Sequence, residues 1–195
     1  MDSPGMTMIA EALAAAGHDF RVVRFEFSYM AERRTGGSRK PPPRADKLNG
    51  EYLAAIDQLT VAAAADDAAA GPLIIGGKSM GGRVASMIAD DLYAAGRIAG
   101  LLCLGYPFHP IGKPQNLRTE HLKDLQTPTL ICQGTRDPFG TSEEVAGYDL
   151  SSSIQLSWFE DGDHDLKPRK RISGFSHADH MAAMAAAVAA WVEGV

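Results

Sequence analysis

A chain of 195 residues, 45% hydrophobic and 22% charged, is long enough to bury a substantial core and ordinary in its balance. Its net charge of −5 disfavours a protein that coats nucleic-acid phosphates, which would be basic. No run approaches the roughly 20 apolar residues of a membrane helix, and no basic-then-apolar leader opens the chain.

Asp2 or Ser3 followed by Pro4 marks a helix start, because a side-chain oxygen can cap the first turn and proline there loses no hydrogen bond. Ile9 and Leu13 share one face of this helix, and Gly17 stops it. "FRVVRFEF", Phe20 to Phe27, is short, β-branched and aromatic, and reads as a strand. Residues 31–47, "AERRTGGSRKPPPRADK", read as a loop on their prolines and glycines. A helix is expected from about Glu51 to Ala70 with Leu53, Ile56 and Leu59 along it, ending at Gly71. "PLIIGG" is a fully apolar strand, followed by a helix whose Val84, Met87, Ile88 and Leu92 face a core. Three further strands follow, "GLLCLGY", "TPTLICQG" and "SIQLSWFE", and an alanine-rich helix from about Ala178 to Val192 closes the chain. Strands apolar on both faces and separated by helices imply an α/β fold, a mostly parallel sheet covered on both sides in a single domain. The only cysteines, Cys103 and Cys132, sit inside two of these strands and read as buried reduced thiols, which makes a cytoplasmic location the expectation.

The chemistry starts at "IIGGKSMGGR", Ile74 to Arg83, which admits two readings. A phosphate-binding G-x-x-x-x-G-K-[ST] loop ending on Gly77, Lys78 and Ser79 needs a glycine at position 72. Position 72 is Pro72, which has no N–H to offer a phosphate, so the nucleotide reading fails. Gly77, Ser79 and Gly81 also spell G-x-S-x-G, the pattern of a nucleophilic serine on a sharp turn. The spacing alone occurs by chance in roughly 5% of chains this long. Its position decides, because Ser79 directly follows an apolar strand and precedes a helix opened by Gly81 and Gly82.

A serine hydroxyl needs a base, and the base needs an orienting acid. In a parallel sheet of this kind both come later, acid first, on loops at strand ends. Asp137 in "QGTRDPFG" and His164 in "FEDGDHDLKP" occupy those places. Asp161, Asp163 and Asp165 crowd His164 and compete for the acid's role, although solvated loop acids are their simpler reading. His109 comes too early in chain order to serve as base, and His18 and His121 read as surface residues. His177 and His180 have H-x-x-H spacing but no evident third ligand, so neither a metal nor any other cofactor is expected. The backbone N–H of Met80 is the expected oxyanion donor. Tyr106, Phe108 and His109, just past a strand end, are candidates to line a substrate pocket, with core packing as the alternative. Lys78 reads as a structural or surface residue. The basic loop (Arg33, Arg34, Arg39, Lys40, Arg44, Lys47) and the run Lys167 to Arg171 read as solvated charge, or else as a rim that attracts an anionic substrate.

Together "MDSP", "RVVRFEFSYM", "GGKSMGGRVAS", "LGYPFHPIGKP", "LRTEHL", "PTLICQGTRDPFG" and "DGDHDLKPRK" resemble the bacterial branch of a predicted α/β-hydrolase family. That family also holds a testis-expressed protein and a subunit of the NSL histone-acetyltransferase complex, and it is similar to dienelactone hydrolases. The resemblance implies an α/β-hydrolase fold, a Ser79–Asp137–His164 triad and a small ester-like substrate. The nuclear relatives also admit a catalytically silent interaction module. Such hydrolases carry strands before the first helix, one of them ending in a glycine-rich loop that donates a second oxyanion N–H. The strand expected there would lie between "RVVRFEF" and "PLIIGG", and without it an unpaired edge would favour self-association into a homo-oligomer.

Overall fold

Backbone N–H and C=O groups of a strand buried on both faces must be paired by neighbouring strands, and helices must cover both faces. The computed structural model has this arrangement and describes residues 3–17, 20–36, 41–65 and 71–195. In chain order the elements are α1 (Pro4–Ala14), α2 (Ser28–Arg34), α3 (Asn49–Ala65), β1 (Ile74–Lys78), α4 (Met80–Ser86), α5 (Ala89–Ala94) and β2 (Gly100–Leu104). They continue with β3 (Thr129–Gly134), α6 (Ser142–Val145), β4 (Ile154–Phe159), α7 (Lys170–Ser173) and α8 (His177–Val192). The four strands are parallel, in the order β1-β2-β3-β4. Alternation along the strands divides the core into two layers. Leu101, Cys103 and Ile131 face α3, α4 and α5, while Leu104, Leu130 and Cys132 face α1 and α8. The two cysteines are therefore on opposite faces, both unpaired and buried, and burial raises both thiols, Cys132 to about 12.

The first helix forms as its sequence dictates. Ser3 Oγ accepts from the Met6 amide, Pro4 begins the helix, Ile9 and Leu13 are buried, and Gly17 turns left-handed at φ 81°. Asp2, the other candidate cap, and His18, Arg39 and Lys40 lie outside the described residues.

Three expectations need correction. The helix read as one element through Leu92 is two, α4 and α5, with a break at Met87 and Ile88. Their amides bond to Val84 O and Ala85 O, one residue short of α-helical register, and Ser86 Oγ bonds back to Arg83 O at 2.8 Å. Residues 31–47 are not all loop, since α2 runs to Arg34 and a 3₁₀ turn spans Ala45–Leu48. The start of α2 is held from afar, with Glu51 of α3 accepting from the Ser28 amide (2.8 Å) and hydroxyl (2.9 Å).

The third correction is Phe20 to Phe27, which forms no strand and belongs to no sheet. High β-propensity makes a chain extended; only a partner's backbone makes it a strand. Between this segment and β1 lies a groove of about 750 Å³, lined by Val23, Phe25 and Phe27 on one side and Ile74, Gly76 and Ser79 on the other. It occupies the interval where a strand was expected to be missing. β1 is thus an edge of the sheet, and Tyr52 covers its middle. The Tyr52 hydroxyl accepts from the Gly76 amide (2.9 Å) and donates to the Gly76 carbonyl (2.5 Å). Tyr52→Phe removes both partners at once. It is expected to lower unfolding free energy by about 1–3 kcal/mol in urea titrations; an unchanged midpoint would mean that water replaces the hydroxyl there.

Candidate active site

At the C-terminal end of β1 the chain reverses into α4 within one residue. Ser79 takes φ 54° and ψ −116°, a conformation costing roughly 1–3 kcal/mol that persists only where the surroundings enforce it. They do so by close backbone packing. A Cβ on Gly77 would lie 2.7 Å from the Gly81 carbonyl carbon, and one on Gly82 would lie 2.7 Å from Gly77 O. A Cβ on Gly81 would meet nothing within 4 Å, so in G-x-S-x-G-G it is Gly77 and Gly82 that the turn requires. The Ser79 amide is tied to Leu104 O at the end of β2 (2.9 Å), and the Met80 amide opens α4 beside the serine.

Asp137 and His164 meet at the same end of the sheet, from the loops after β3 and β4. His164 Nδ1 lies 2.9 Å from Asp137 Oδ2, with the carboxylate fully buried and the imidazole 21% exposed. Because an ionised carboxylate only accepts, the ring proton belongs on Nδ1, leaving Nε2 as a potential base. Asp137 Oδ1 accepts from the Phe139 amide (2.9 Å), and the Phe139 ring packs 4.4 Å from the imidazole. Behind the ring is Gly105, at φ 61°, where a Cβ would fall 3.2 Å from His164 Nδ1.

The competing acids have other occupations. Asp161 binds the Arg169 guanidinium and amide, and these hold its carboxyl down to about 2. Asp163 Oδ1 accepts from the amides of Asp165 (2.9 Å) and Lys167 (3.0 Å). Asp165 pairs with Lys78 at 2.6 Å, and that ammonium holds its carboxyl below the usual range. Lys78, uninformative in the sequence, thus links the serine turn to the histidine loop. The acid and histidine loops are themselves sewn together: Arg136 Nε donates to Asp161 O (2.7 Å), Thr135 N to Phe159 O (3.0 Å) and Arg136 N to Gly162 O (3.1 Å). Gly134 permits this closeness, since a Cβ there would lie 2.3 Å from Gly162 O.

The expected pocket residues do not face a pocket. Tyr106 and Phe108 are fully buried, their rings 4.9 Å apart, which is the core-packing alternative; His109 is 2% exposed and contacts Pro110 O and Glu144. Their strand-end position was right, but the chain after β2 folds inward over α4. His121 is only partly exposed, with its Nε2 2.8 Å from Ser86 Oγ, and burial lowers its pKa. His180 is buried with Nδ1 on Leu166 O, His177 Nε2 contacts Asp165 O, and no metal-binding cluster occurs among the described residues. Of the basic side chains, Arg33 lies over the Tyr29 ring, Arg34 pairs with Glu26, Arg44 with Asp46, and Arg169 with Asp161. Each of these is engaged within the protein, and Arg34 also lines the groove that includes Ser79, so the solvated-charge and substrate-rim readings both stand.

A family profile described as an alpha/beta hydrolase domain matches residues 1–193. The chain belongs to that family. Among solved structures, this alpha/beta hydrolase domain is similar to an esterase domain from a Rhodothermus marinus protein, at 16% identity and a TM-score of 0.62, covering 96% of this chain and 79% of that one. It is also similar to an alpha-beta serine hydrolase homologue from Coxiella burnetii, at 16% identity and a TM-score of 0.60, covering 96% and 77%. At these identities the likeness shows the fold. Two neighbours of the Asp137–His164 pair were not singled out in the sequence: Gly105, and Gln133 in β3. The only signal for Gln133 was a polar residue inside an otherwise apolar run, "LICQG".

Proposed function

We propose that this alpha/beta hydrolase is a serine hydrolase that cleaves an ester or related carbonyl bond through Ser79, His164 and Asp137. The observation that supports it most is the buried Asp137–His164 hydrogen bond, 2.9 Å long, at the same sheet end as the strained Ser79 turn. In the first step Ser79 Oγ attacks the carbonyl carbon while His164 Nε2 takes its proton. The Met80 amide donates to the developing oxyanion, and Asp137 stabilises the imidazolium. The C–O bond to the alcohol breaks, the departing oxygen takes the proton back from His164, and an acyl-Ser79 remains. Water, deprotonated by His164, then releases the carboxylic acid and restores Ser79. The substrate in this reading is a small carboxylic ester or, if the sequence resemblance to a family similar to dienelactone hydrolases carries over, a lactone whose alcohol stays tethered to the acid. Two unpaired buried thiols support a cytoplasmic location.

A fluorophosphonate tests this directly. Intact-mass analysis should find one adduct on the wild type and none on Ser79→Ala, whose turnover of p-nitrophenyl acetate should also be lost. A folded wild type that takes no adduct would sink the proposal and favour a silent scaffold.

A further inference from the structure

Gln133 is fully buried near the end of β3, a central strand, and it belongs to none of the roles above. A buried primary amide is costly unless its partners are supplied, so each contact is informative. Gln133 Oε1 accepts from the Tyr106 amide at 2.7 Å. Its Nε2 lies 2.9 Å from Asp137 Oδ2, 3.2 Å from Tyr106 O and 3.3 Å from Gly140 O. The amide's orientation follows from these partners rather than from a choice between alike atoms. The Tyr106 N–H requires an acceptor, while two carbonyls and a carboxylate require a donor, so the amide cannot be flipped.

The oxygen that Gln133 contacts is the one that faces His164. Asp137 Oδ2 accepts from both Gln133 Nε2 and His164 Nδ1, and Oδ1 accepts from the Phe139 amide. These three donors fix both the rotation of the carboxylate and which oxygen meets the imidazole. We infer that Gln133 is a positioning residue that locks Asp137 in the rotamer required to orient His164. The inference rests on the Ser79–His164–Asp137 reading. Through the same side chain the loop after β2, which carries Gly105 behind the imidazole, is pinned to the acid loop. One amide thereby sets where the carboxylate points and where the wall behind the ring stands. It makes no contact with substrate, so its removal is expected to affect kcat rather than KM.

The test uses two replacements of the full chain, assayed well below their melting temperatures. Gln133→Leu removes the donor and is expected to lower kcat about tenfold to 100-fold with KM within about twofold. It should also broaden or shift the downfield proton resonance of the His164 Nδ1–H. Gln133→Glu keeps the shape and donates to Asp137 only when protonated, because adjacent carboxylates share a proton. Its kcat relative to wild type should therefore rise as pH falls, while the Gln133→Leu ratio stays flat; a residue that merely filled space would give two flat ratios. Asp137→Asn runs alongside. If it lowers kcat while both Gln133 variants stay within twofold of wild type with the resonance unmoved, the positioning role is overturned and the triad stands. If Asp137→Asn itself leaves kcat intact, the triad reading fails, and this inference with it.

Discussion

Asp137→Asn is expected to lower kcat on ester substrates by about 10⁴-fold while leaving the fold intact. The environment of the carboxylate explains why an isosteric amide cannot replace it. Asp137 Oδ2 receives two N–H donors, from His164 and Gln133, and Oδ1 receives the Phe139 amide. An asparagine with its NH₂ at the Oδ2 position would point hydrogen at Gln133 and His164. Relief comes only if the imidazole moves its proton to Nε2, which removes the lone pair that a general base needs. Turning the amide over places the NH₂ against the Phe139 N–H instead, leaving a buried donor without an acceptor. Both outcomes are costly, and the first abolishes general-base catalysis. Steady-state kinetics with p-nitrophenyl acetate, beside a thermal melt, would decide the matter. A kcat within tenfold of wild type would remove Asp137 from the mechanism.

The second large effect is expected at Gly105. Alanine there must adopt φ 61°, and its Cβ would come within 2.7 Å of His164 O and 3.2 Å of its Nδ1. The backbone contact cannot yield by rotating a side chain, so the histidine loop must move. A displacement of even about 1 Å can cost on the order of 100-fold in rate. Gly96 is the control, because it has φ 66° but nothing within 4 Å of a Cβ. Both alanine variants should lose roughly 1–2 kcal/mol to left-handed strain. Only Gly105→Ala should also lose about 100-fold in kcat. Equal kcat for the two would show that His164 tolerates displacement and that Gly105 matters for its backbone alone.

The parts of the fold that could be read from the sequence are those in which one residue carries its own reason. β2 and β3 are nearly continuous apolar runs, β4 alternates through Ile154, Leu156 and Trp158, and Ser3-Pro4 and Gly17 bracket α1 through local chemistry. The segment Phe20 to Phe27 misled because its propensity is independent of whether a partner strand is beside it. α2 was missed because its anchor, Glu51, is 23 residues away in sequence. In the proposed site, chain order put Ser79, Asp137 and His164 just after strand ends, and strand ends in a parallel sheet converge on one rim. The same rule failed for Tyr106 and Phe108, which follow β2 but turn into the core. Gln133 and Gly105 were not legible, because what matters about them is the loop they touch. Nothing near them in the chain reveals that loop.

The seams between the loops after β3 and β4 have a consequence for motion. Arg136, Thr135 and Gly134 fasten the acid loop to backbone atoms of the histidine loop, so Asp137 and His164 are expected to move together. Ser79 rides on a different piece, the turn between β1 and α4, and the side-chain link from that turn to the histidine loop is the Lys78–Asp165 pair, with Asp165 63% exposed. An ion pair whose carboxylate is open to solvent is a weak tether that salt loosens. The acid-to-base distance is therefore expected to be the stiffer one, and the base-to-nucleophile distance the more compliant. Amide exchange would register this as joint protection of residues 134–137 and 160–167, with the serine turn opening on its own clock.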